Sequence, residues 1–384
     1  MVRFDLTVPS DIRLGAGRVA EVPDVVAGWG TDRVLVITGR SPSRAAELIA
    51  ALGSRGLTVT TYAVDGEPSV QVVRDGVAAA GRCSAVIGYG GGSALDVAKA
   101  VAVLAVTGAD PLDHLEVLGE GRPITEPGLP CVAIPTTAGT GSEVTRNAVL
   151  SGDGVKASLR SPLLLPALAV VDPDLLEGVP AATIAASGMD ALAQVIEPFL
   201  SRKANPFTDA LARDGIVRSA RSLRRAYGEG MVDASVREDL AITSLFGGLC
   251  LANAGLGAVH GFAAALGARL GAPHGAVCAA VLAAAVEVNL RAVRERAADG
   301  PTMPRLSELA VLLTGNPTAQ AEAAIGWLAD LTAALQIPGL DVYGLTDADT
   351  TEVVAATQRA SSMTGNPIEL TDDEVSEVLH RSRR

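Results

Sequence analysis

Two histidines in an apolar stretch are the residues of this sequence best suited to chemistry. His260 and His274 lie fourteen positions apart among small, uncharged residues, and the chain has only two other histidines, His114 and His380. An imidazole in such surroundings must find a polar partner or cost stability. Metal ligation meets that demand, and so does hydrogen bonding within a core, so the pair alone leaves both open.

A second polar pair favours a functional site. Asp190 and Gln194 stand four positions apart in another apolar segment, SGMDALAQVIEPF. Residues with this spacing share one face of a helix, so the carboxylate and the amide would point the same way. Two polar pairs on two apolar segments predict one convergent site.

Length and composition limit the architectures that could hold such a site. At 384 residues the chain exceeds the size at which a single core stops growing, so two domains are expected. Apolar residues supply 48% of the chain but aromatic ones only 3%, which favours packed helices and parallel strands over a sandwich. The net charge of −12, without a long basic run, argues against nucleic acid or an anionic membrane as a partner.

Cysteine usage and hydropathy predict a cytoplasmic protein. The cysteines never show CxxC spacing and lie in apolar runs, as small core residues of a reduced protein do: Cys83, Cys131, Cys250 and Cys278. The opening MVRFDLTVPS lacks the apolar core of a signal peptide. The longest apolar stretch, 276–286, is shorter than the roughly 20 residues that a membrane span needs.

The two halves of the chain differ in their periodicity. Short apolar strands alternate with helical segments in the first half, with strands at 33–38, 57–63, 85–88 and 131–135. This alternation predicts a doubly wound, parallel α/β sheet. Helical patterns dominate from about residue 183, at 185–200, 206–225, 235–254, 276–295 and 320–335. We therefore predict an α/β domain at 1–180 and an all-helical domain at 181–384, with a ligand cleft between them.

Two polar loops follow strands of the predicted sheet. Gly91, Gly92 and Ser93 come after strand 85–88, where glycines let a phosphate approach and the helix that follows offers free N–H groups. Ser93 is expected to cap that helix and donate to a phosphate oxygen. The spacing is not GxGxxG, and an ordinary glycine-rich turn is the alternative.

The second loop, PTTAGTGS, contains Thr136, Thr137 and Thr140. Several hydroxyls on a flexible backbone suit the phosphate or ribose of a nucleotide, although a solvated turn would have the same composition. Both loops would lie at the carboxyl edge of the sheet, where open α/β sheets bind ligands.

Taken together, these motifs resemble the iron-containing (group III) alcohol dehydrogenases. In family order stand GGGSALDVAK, PTTAGTGSEVT, a lone Lys156, VDPDLLEGVP, GMDALAQVIEPF and VHGFAAALG…APHGAV, so that the resemblance spans about residues 5–370. It implies the fold shared by these enzymes and the dehydroquinate synthases. An N-terminal NAD(P)-binding domain and a helical metal- and substrate-binding domain would then bring NAD(P) and a divalent metal together.

The resemblance also implies roles for individual residues. The implied metal ligands, of which all but the glutamine are catalytic, are Asp190, Gln194, His260 and His274. The implied pyrophosphate loop is Gly91, Gly92 and Ser93, and Asp96 is the implied acid in the first turn of the helix that follows. The implied hydroxyl loop beside the nicotinamide contains Thr136, Thr137 and Thr140. Lys156 would reach the ribose, and His274 would orient the nicotinamide.

Two departures from the family pattern leave the metal open. The second ligand is normally histidine, yet Gln194 stands there, and a histidine common four residues after the third ligand is Ala264. Glutamine is a neutral, weaker donor to Fe(II) or Zn(II) than imidazole. Asp190 with His260 and His274 could still form the three-ligand site of a catalytic zinc, whereas maleylacetate reductases in the same superfamily work without metal.

The residues after the first strand favour NADP(H) over NAD(H). Relatives selective for NAD tend to have an acid there, which bonds the ribose 2′-hydroxyl and repels a 2′-phosphate. This chain has Gly39, Arg40 and Ser41 instead, which leave room for the extra phosphate and could bind it.

The expected function is reversible, metal-assisted hydride transfer between NADP(H) and a small alcohol, aldehyde or ketone. A cytoplasmic homodimer is the expected form. The first alternative is a metal-independent reductase of an anionic carbonyl, with Arg146, Arg160 or Arg202 near the substrate. The others are a lyase like the dehydroquinate synthases and a non-catalytic nucleotide-binding protein.

Overall fold

The chain separates into two compact units, described over residues 3–9, 11–152 and 155–383 of a computed structural model. One unit comprises Thr7–Thr137 and Gly141–Glu177, and the other comprises Gly178–Arg384 with Met1–Leu6 and Ala138–Thr140. The first is an α/β unit and the second is helical, which confirms the predicted fold class.

The α/β unit is built on parallel strands. The strands of the described residues are β1 (Ile12–Leu14), β2 (Arg33–Thr38), β3 (Thr58–Ala63), β4 (Ala85–Gly90), β5 (Cys131–Pro135), β6 (Asn147–Gly152), β7 (Val155–Arg160) and β8 (Leu168–Val171). Six of them form one parallel sheet in the order β1-β8-β5-β4-β2-β3, and β6 pairs with β7 as an antiparallel hairpin. Because β2, β4 and β5 are neighbours, the segments that follow them start at the same edge of the sheet.

Helices cover both faces of this sheet, as the doubly wound prediction requires. They are α1 (Val22–Gly28), α2 (Ala46–Ser54), α3 (Val70–Ala80), α4 (Gly92–Thr107) and the single turn α5 (Pro111–His114). Along β2, Val34 and Val36 share a core with α1 and α2, whereas Leu35 and Ile37 share the opposite core with α3 and α4. Burial on both faces explains why β2 has an uninterrupted apolar run from Val34 to Ile37.

Long helices make up the second unit. Among the described residues they are α6 (Ala181–Leu200), α7 (Pro206–Glu229), α8 (Ala234–Ala254), α9 (Ala258–Leu270), α10 (His274–Arg296), α11 (Thr302–Thr314), α12 (Ala321–Ala334), α13 (Thr350–Arg359) and α14 (Asp372–Arg381). The core helix α6 packs against α7, α8 and α10, and α10 also contacts α9 and α12. By length and composition α10 could cross a membrane, and α8 with α9 pass the same test only as a pair bent by 98°. However, 78% of the apolar window of α10 is buried inside the protein, as in a core helix.

Candidate functional site

Three helices of the helical unit bring the predicted metal ligands together. Asp190 and Gln194 lie on α6, His260 lies in the first turn of α9, and His274 is the first residue of α10. Asp190 Oδ1 is 3.2 Å from His260 Nε2 and 3.9 Å from His274 Nε2. Together with Cys278 Sγ, these ligand atoms all lie within 4.8 Å of one another. That spacing is suited to the coordination shell of a single cation.

Two glycines let the ends of α9 and α10 approach α6 this closely. A Cβ on Gly257, just before α9, would lie 3.0 Å from Glu197 Oε1, and a Cβ on Gly275 would lie 2.3 Å from the carbonyl oxygen of Ala186. The contact at Gly275 is shorter than any that real Cβ atoms make, and the contact at Gly257 is at the limit. Glycine at position 257, three residues before His260, and at position 275, next to His274, is therefore a packing requirement of the cluster.

Glu197 fixes the orientation of His260. Its Oε2 lies 2.6 Å from His260 Nδ1, and its Oε1 accepts a hydrogen bond from the backbone N–H of Val259 at 2.7 Å. An ionised carboxylate only accepts hydrogen bonds, so Nδ1 carries the proton and Nε2 is left to face the cluster. Glu197 was not among the predicted site residues, although its position two helical turns after Asp190 places both carboxylates on one face of α6.

The electrostatics of the cluster favour positive charge within it. Burial alone would raise the pKa of Asp190, but the charge on His274 and the hydrogen bond from His260 outweigh burial and lower this pKa to about 2. For His260 burial acts in the opposite direction and would lower the pKa of the imidazole. The charges of Cys278 and Glu197 outweigh burial and raise this pKa well above its ordinary value. Protons or a divalent cation can supply the positive charge that the carboxylates attract.

Gln194 also fits a cation. Its side chain is buried and its amide donates a hydrogen bond to Asp190. Its Oε1 is buried and has no hydrogen-bond partner among the described residues. A buried carbonyl oxygen without a partner costs free energy, which a cation would recover. The side chains present therefore fit a divalent metal, and the His274 side chain, 35% exposed, gives access to it.

Cys278 is a free, buried cysteine, as predicted, but its neighbours are the ligand atoms of the cluster. Its Sγ lies 3.8 Å from His274 Nε2 and 3.9 Å from His260 Nε2. The physical reason is helical spacing: Cys278 follows His274 by one turn of α10 and so shares its face. That four-residue spacing was the signal that sequence analysis overlooked.

Replacing Glu197 by glutamine is expected to lower metal affinity about 10- to 100-fold. The amide removes the negative charge beside His260 and leaves one acceptor oxygen for two donors, His260 Nδ1 and the backbone N–H of Val259. Competition with a chelator at fixed pH measures the change. Glu308→Gln is the matched control, because Glu308 pairs with Arg213 away from the cluster and its loss should leave metal affinity unchanged. Equal affinities for the Glu197 variant and the wild type would contradict the assigned role.

The predicted cofactor segments after β2, β4 and β5 meet at the carboxyl edge of the sheet. The backbone N–H of Thr136 donates to the carbonyl of Gly90 at 2.9 Å. A Cβ on Gly90 would lie 3.0 Å from the backbone nitrogen of Gly39, and one on Gly91 would lie 3.3 Å from Thr137 Oγ1. The two polar loops and the segment that begins at Gly39 thus adjoin one another.

The start of α4 differs from the prediction. Gly91 is the N-cap, in extended conformation, and Gly92 is the first helical residue, so the expectation that Ser93 caps the helix is wrong. The reason is that the chain turns into the helix two residues earlier than expected. No side-chain hydrogen bond from the N-cap residue satisfies the first turn of α4. Its N–H groups and positive dipole end therefore suit an anion such as pyrophosphate.

Asp96 is the fifth residue of α4, beyond the first turn in which it was expected. Its carboxylate accepts hydrogen bonds from Ser142 Oγ at 2.5 Å and from the backbone N–H of Val149 at 3.0 Å. It also pairs with Lys99 Nζ at 3.0 Å. The fully buried Lys99, which sequence analysis missed, further donates to the carbonyl of Ser142 and to Thr145 Oγ1. Asp96 and Lys99 together anchor the segment that follows the hydroxyl loop.

The other predicted cofactor residues are distributed over both units. Lys156 lies on β7 with its Nζ 2.8 Å from Glu67 Oε2. Ser41 precedes a short 3-10 turn. Thr140 belongs to the segment grouped with the helical unit, where the N–H of Gly139 donates to Ser244 Oγ at 2.8 Å.

Comparison with known proteins identifies the family. The profile of the family described as iron-containing alcohol dehydrogenase matches residues 9–173, and that of the Fe-containing alcohol dehydrogenase family, C-terminal, matches residues 184–383.

Individual relatives agree with the profiles. The chain is 40% identical over 267 residues to long-chain-alcohol dehydrogenase 1 of Geobacillus thermodenitrificans (strain NG80-2), an alignment that covers 69% of this chain and 64% of that protein. It is 32% identical over 392 aligned positions to 1,3-propanediol dehydrogenase of Klebsiella pneumoniae, covering 99% of this chain and 98% of the relative. A crystal structure of a 1,3-propanediol oxidoreductase superposes with a TM-score of 0.91 at 30% identity, over 99% of this chain and 100% of that one. The resemblance found in the motifs is thereby confirmed: the chain belongs to the iron-containing alcohol dehydrogenase family and is an oxidoreductase of the alcohol dehydrogenase type.

Proposed function

We propose that this protein catalyses reversible hydride transfer between NADP(H) and a small alcohol with its aldehyde or ketone, assisted by a divalent metal. The observation that carries the proposal is the convergence of Asp190, His260 and His274 from three helices into one cluster. The names of the relatives, a long-chain-alcohol dehydrogenase and a 1,3-propanediol dehydrogenase, support alcohols and aldehydes as the substrate class.

Each residue of the cluster has a task in this reaction. Asp190, His260 and His274 would hold Fe(II) or Zn(II), with the orphaned Oε1 of Gln194 as a further ligand. When bound, the metal polarises the carbonyl oxygen of the substrate and stabilises the negative charge that develops as NADPH delivers hydride. Glu197 keeps His260 in the tautomer that presents Nε2. His274, the accessible member, would also orient the nicotinamide.

The cofactor would be bound mainly by the α/β unit. We assign the pyrophosphate to the start of α4, at Gly91, Gly92 and Ser93, and the ribose to Lys156 of β7. The nicotinamide side is assigned to the hydroxyl loop, through Thr136, Thr137 and Thr140. Asp96 would act by positioning, because its carboxylate already accepts hydrogen bonds from the protein. The proposed division is residues 1–180 for nucleotide and 181–384 for metal and substrate, in a cytoplasmic homodimer.

Turnover with and without metal tests the proposal. NADPH oxidation is measured with short- and long-chain aldehydes, the three-carbon hydroxyaldehyde corresponding to 1,3-propanediol, and ketones. The panel is repeated after chelation and after Zn(II) or Fe(II) is restored. We expect activity that chelation removes and metal restores. Full activity of chelated enzyme on an anionic carbonyl would indicate the metal-independent reductase, and bound cofactor without any turnover would exclude a dehydrogenase.

The surroundings of Arg40 support NADP(H) as the cofactor. Apart from its two chain neighbours, no heavy atom of the described residues lies within 4 Å of where a Cβ on Gly39 would be, so the end of β2 leaves space. The side chain of Arg40 is 79% exposed, and its Nε lies 2.7 Å from Asp65 Oδ1. An exposed pair of this kind is worth about 1 kcal/mol or less. A 2′-phosphate, which forms stronger charge-assisted bonds, can therefore take the guanidinium from Asp65.

Arg40→Ala is expected to raise the KM for NADPH about 10- to 100-fold and leave the KM for NADH nearly unchanged, because a hydrogen bond to a charged group contributes about 1.5–3 kcal/mol. Steady-state kinetics with both nucleotides measure the effect. Arg55→Ala is the matched control. Arg55 is an exposed arginine that pairs with Asp24, and it precedes β3 at the amino edge of the sheet. Equal changes for the two nucleotides in the Arg40 variant would argue against 2′-phosphate recognition.

A further inference from the structure

Cys278 lies where a thiolate could complete the coordination shell of the metal. We propose that Cys278 is a direct metal ligand and that the centre formed by Asp190, His260, His274 and Cys278 selects zinc over Fe(II). This inference rests on the proposed function, because it requires a metal to bind at this cluster. It goes beyond the ligand set implied by the family, in which Gln194 occupies the position usually held by a histidine.

The separations between the ligand atoms fit a tetrahedral zinc. With Zn–N and Zn–O near 2.05 Å and Zn–S near 2.3 Å, tetrahedral angles place N and S about 3.6 Å apart and N and O about 3.3 Å apart. Cys278 Sγ is 3.8 Å from His274 Nε2 and 3.9 Å from His260 Nε2. Asp190 Oδ1 is 3.2 and 3.9 Å from the same two nitrogens. Each of these four separations lies within about 0.6 Å of the ideal edge. The remaining two edges of the tetrahedron, between the two histidine nitrogens and between Asp190 and Cys278, are no longer than 4.8 Å.

The other cysteines have different surroundings. Cys250 Sγ donates to the carbonyl of Thr208 at 3.4 Å, and Cys131 Sγ lies 3.8 Å from the carbonyl of Val132, as buried thiols of a core do. Cys278 instead lies against two imidazole nitrogens and a carboxylate. Cys83 has the Thr60 hydroxyl as its hydrogen-bond partner, so among the described residues Cys278 is the cysteine that lies in a cluster of candidate metal ligands.

Charge balance supports a dication among these ligands. One thiolate and the Asp190 carboxylate together carry two negative charges, which Zn²⁺ would neutralise inside a mostly buried site. The remaining carboxylate, Glu197, is engaged by His260 Nδ1 and by the backbone N–H of Val259. Burying a neutral zinc centre costs less free energy than burying the thiolate and the Asp190 carboxylate without a cation.

Ligand softness then decides between metals. Thiolates favour zinc, whereas the nitrogen and oxygen ligands usual in this family also suit Fe(II). Compared with the usual ligand set of the family, this chain has Gln194 in place of an imidazole and has the thiol of Cys278 on a different helix. We therefore expect the site to prefer zinc over Fe(II) more strongly than a site with only nitrogen and oxygen ligands. In this centre Cys278 takes the fourth position that Gln194 Oε1 would otherwise take, and the substrate oxygen would enter as a fifth ligand, an expansion that catalytic zinc sites sometimes show in the transition state.

X-ray absorption at the zinc edge of the wild-type, zinc-loaded protein tests the ligand directly. We expect one sulfur at about 2.3 Å beside nitrogen and oxygen ligands. Cys278→Ser should lose the sulfur and bind zinc at least ~100-fold more weakly, since even the loss of an outer partner of a ligand costs 10- to 100-fold. It should also show a smaller preference for zinc over Fe(II). Cys250→Ser, a matched buried cysteine, should keep the sulfur signal and the affinity.

The outcomes separate this inference from the proposed function. Bound zinc with only nitrogen and oxygen neighbours in the wild type overturns the thiolate ligand and leaves the metal-assisted reaction standing. A Cys278 variant that is folded and retains wild-type zinc affinity does the same. Protein that binds neither zinc nor Fe(II) overturns the metal-dependent function itself. If Cys278→Ser fails to fold, the wild-type spectrum still decides, because it needs no variant.

Discussion

Replacing Asp190 by asparagine should lower metal affinity at least ~100-fold and kcat/KM for aldehyde reduction about 1000-fold. The amide keeps the shape of the side chain but removes the charge that holds the cation beside His260 and His274. A metal that polarises a carbonyl contributes several kcal/mol to the transition state, and ~4 kcal/mol corresponds to this loss of rate. Metal content after dialysis and steady-state kinetics measure the two effects.

Asp209→Asn provides the matched control for Asp190→Asn. Asp209 lies on α7, is similarly buried, and forms a two-point ion pair with Arg305. Its replacement should lower the free energy of unfolding without lowering the metal content of the folded protein. Should Asp190→Asn keep its metal and its activity while Asp209→Asn behaves as described, the cluster would not be the catalytic centre.

The second large effect concerns folding: Lys99→Met should reduce the free energy of unfolding by about 3–5 kcal/mol. The side chain of Lys99 is fully buried in the α/β unit and pairs with Asp96, whose side chain is 14% exposed. Methionine of similar volume leaves the Asp96 charge without its cation and removes the hydrogen bonds to Ser142 and Thr145. Equilibrium unfolding in urea measures the loss.

A double substitution shows whether the loss comes from the ion pair. In Asp96→Asn with Lys99→Met no buried charge is left unpaired, so the combined cost should be smaller than the sum of the single costs. Strict additivity of the two single effects would mean that Asp96 and Lys99 are not coupled. The hydrogen bonds that Lys99 donates would then account for its whole contribution.

The strands with the strongest apolar runs were predictable from the sequence. The segments 33–38 and 131–135 coincide with β2 and β5, because burial on both faces requires a continuous apolar run. The edge strand β1 carries no such signal and depends on its pairing with β8. Strand β8 is a buried apolar run of only four residues between β1 and β5, and it was not predicted. The antiparallel pair of β6 and β7 was not predicted either, because neither segment has a strong strand pattern of its own. The two strands are defined by their pairing with each other.

The candidate site shows the same division between local and long-range information. The four-residue spacing of Asp190 and Gln194 predicted a shared helix face, and both residues do lie on α6. Glu197 and Cys278 gain their roles from contacts with His260, which belongs to a different helix from either of them. A sequence pattern contains spacing along one helix, but not the packing that brings the starts of α9 and α10 against α6. The roles of these two residues therefore became visible only in the folded chain.

The segment Ala138–Thr140 has a consequence for the order in which the chain matures during synthesis. The N–H of Gly139 hydrogen-bonds to Ser244, which is 105 residues further along the chain. At a synthesis rate of roughly 5–20 residues per second, the ribosome adds this partner about 5–20 s after Gly139. The α/β unit can begin to fold in that interval, yet the hydroxyl loop stays unfinished until α8 has emerged. The nascent protein should thus complete the proposed nucleotide site only after the helical unit has been translated through α8.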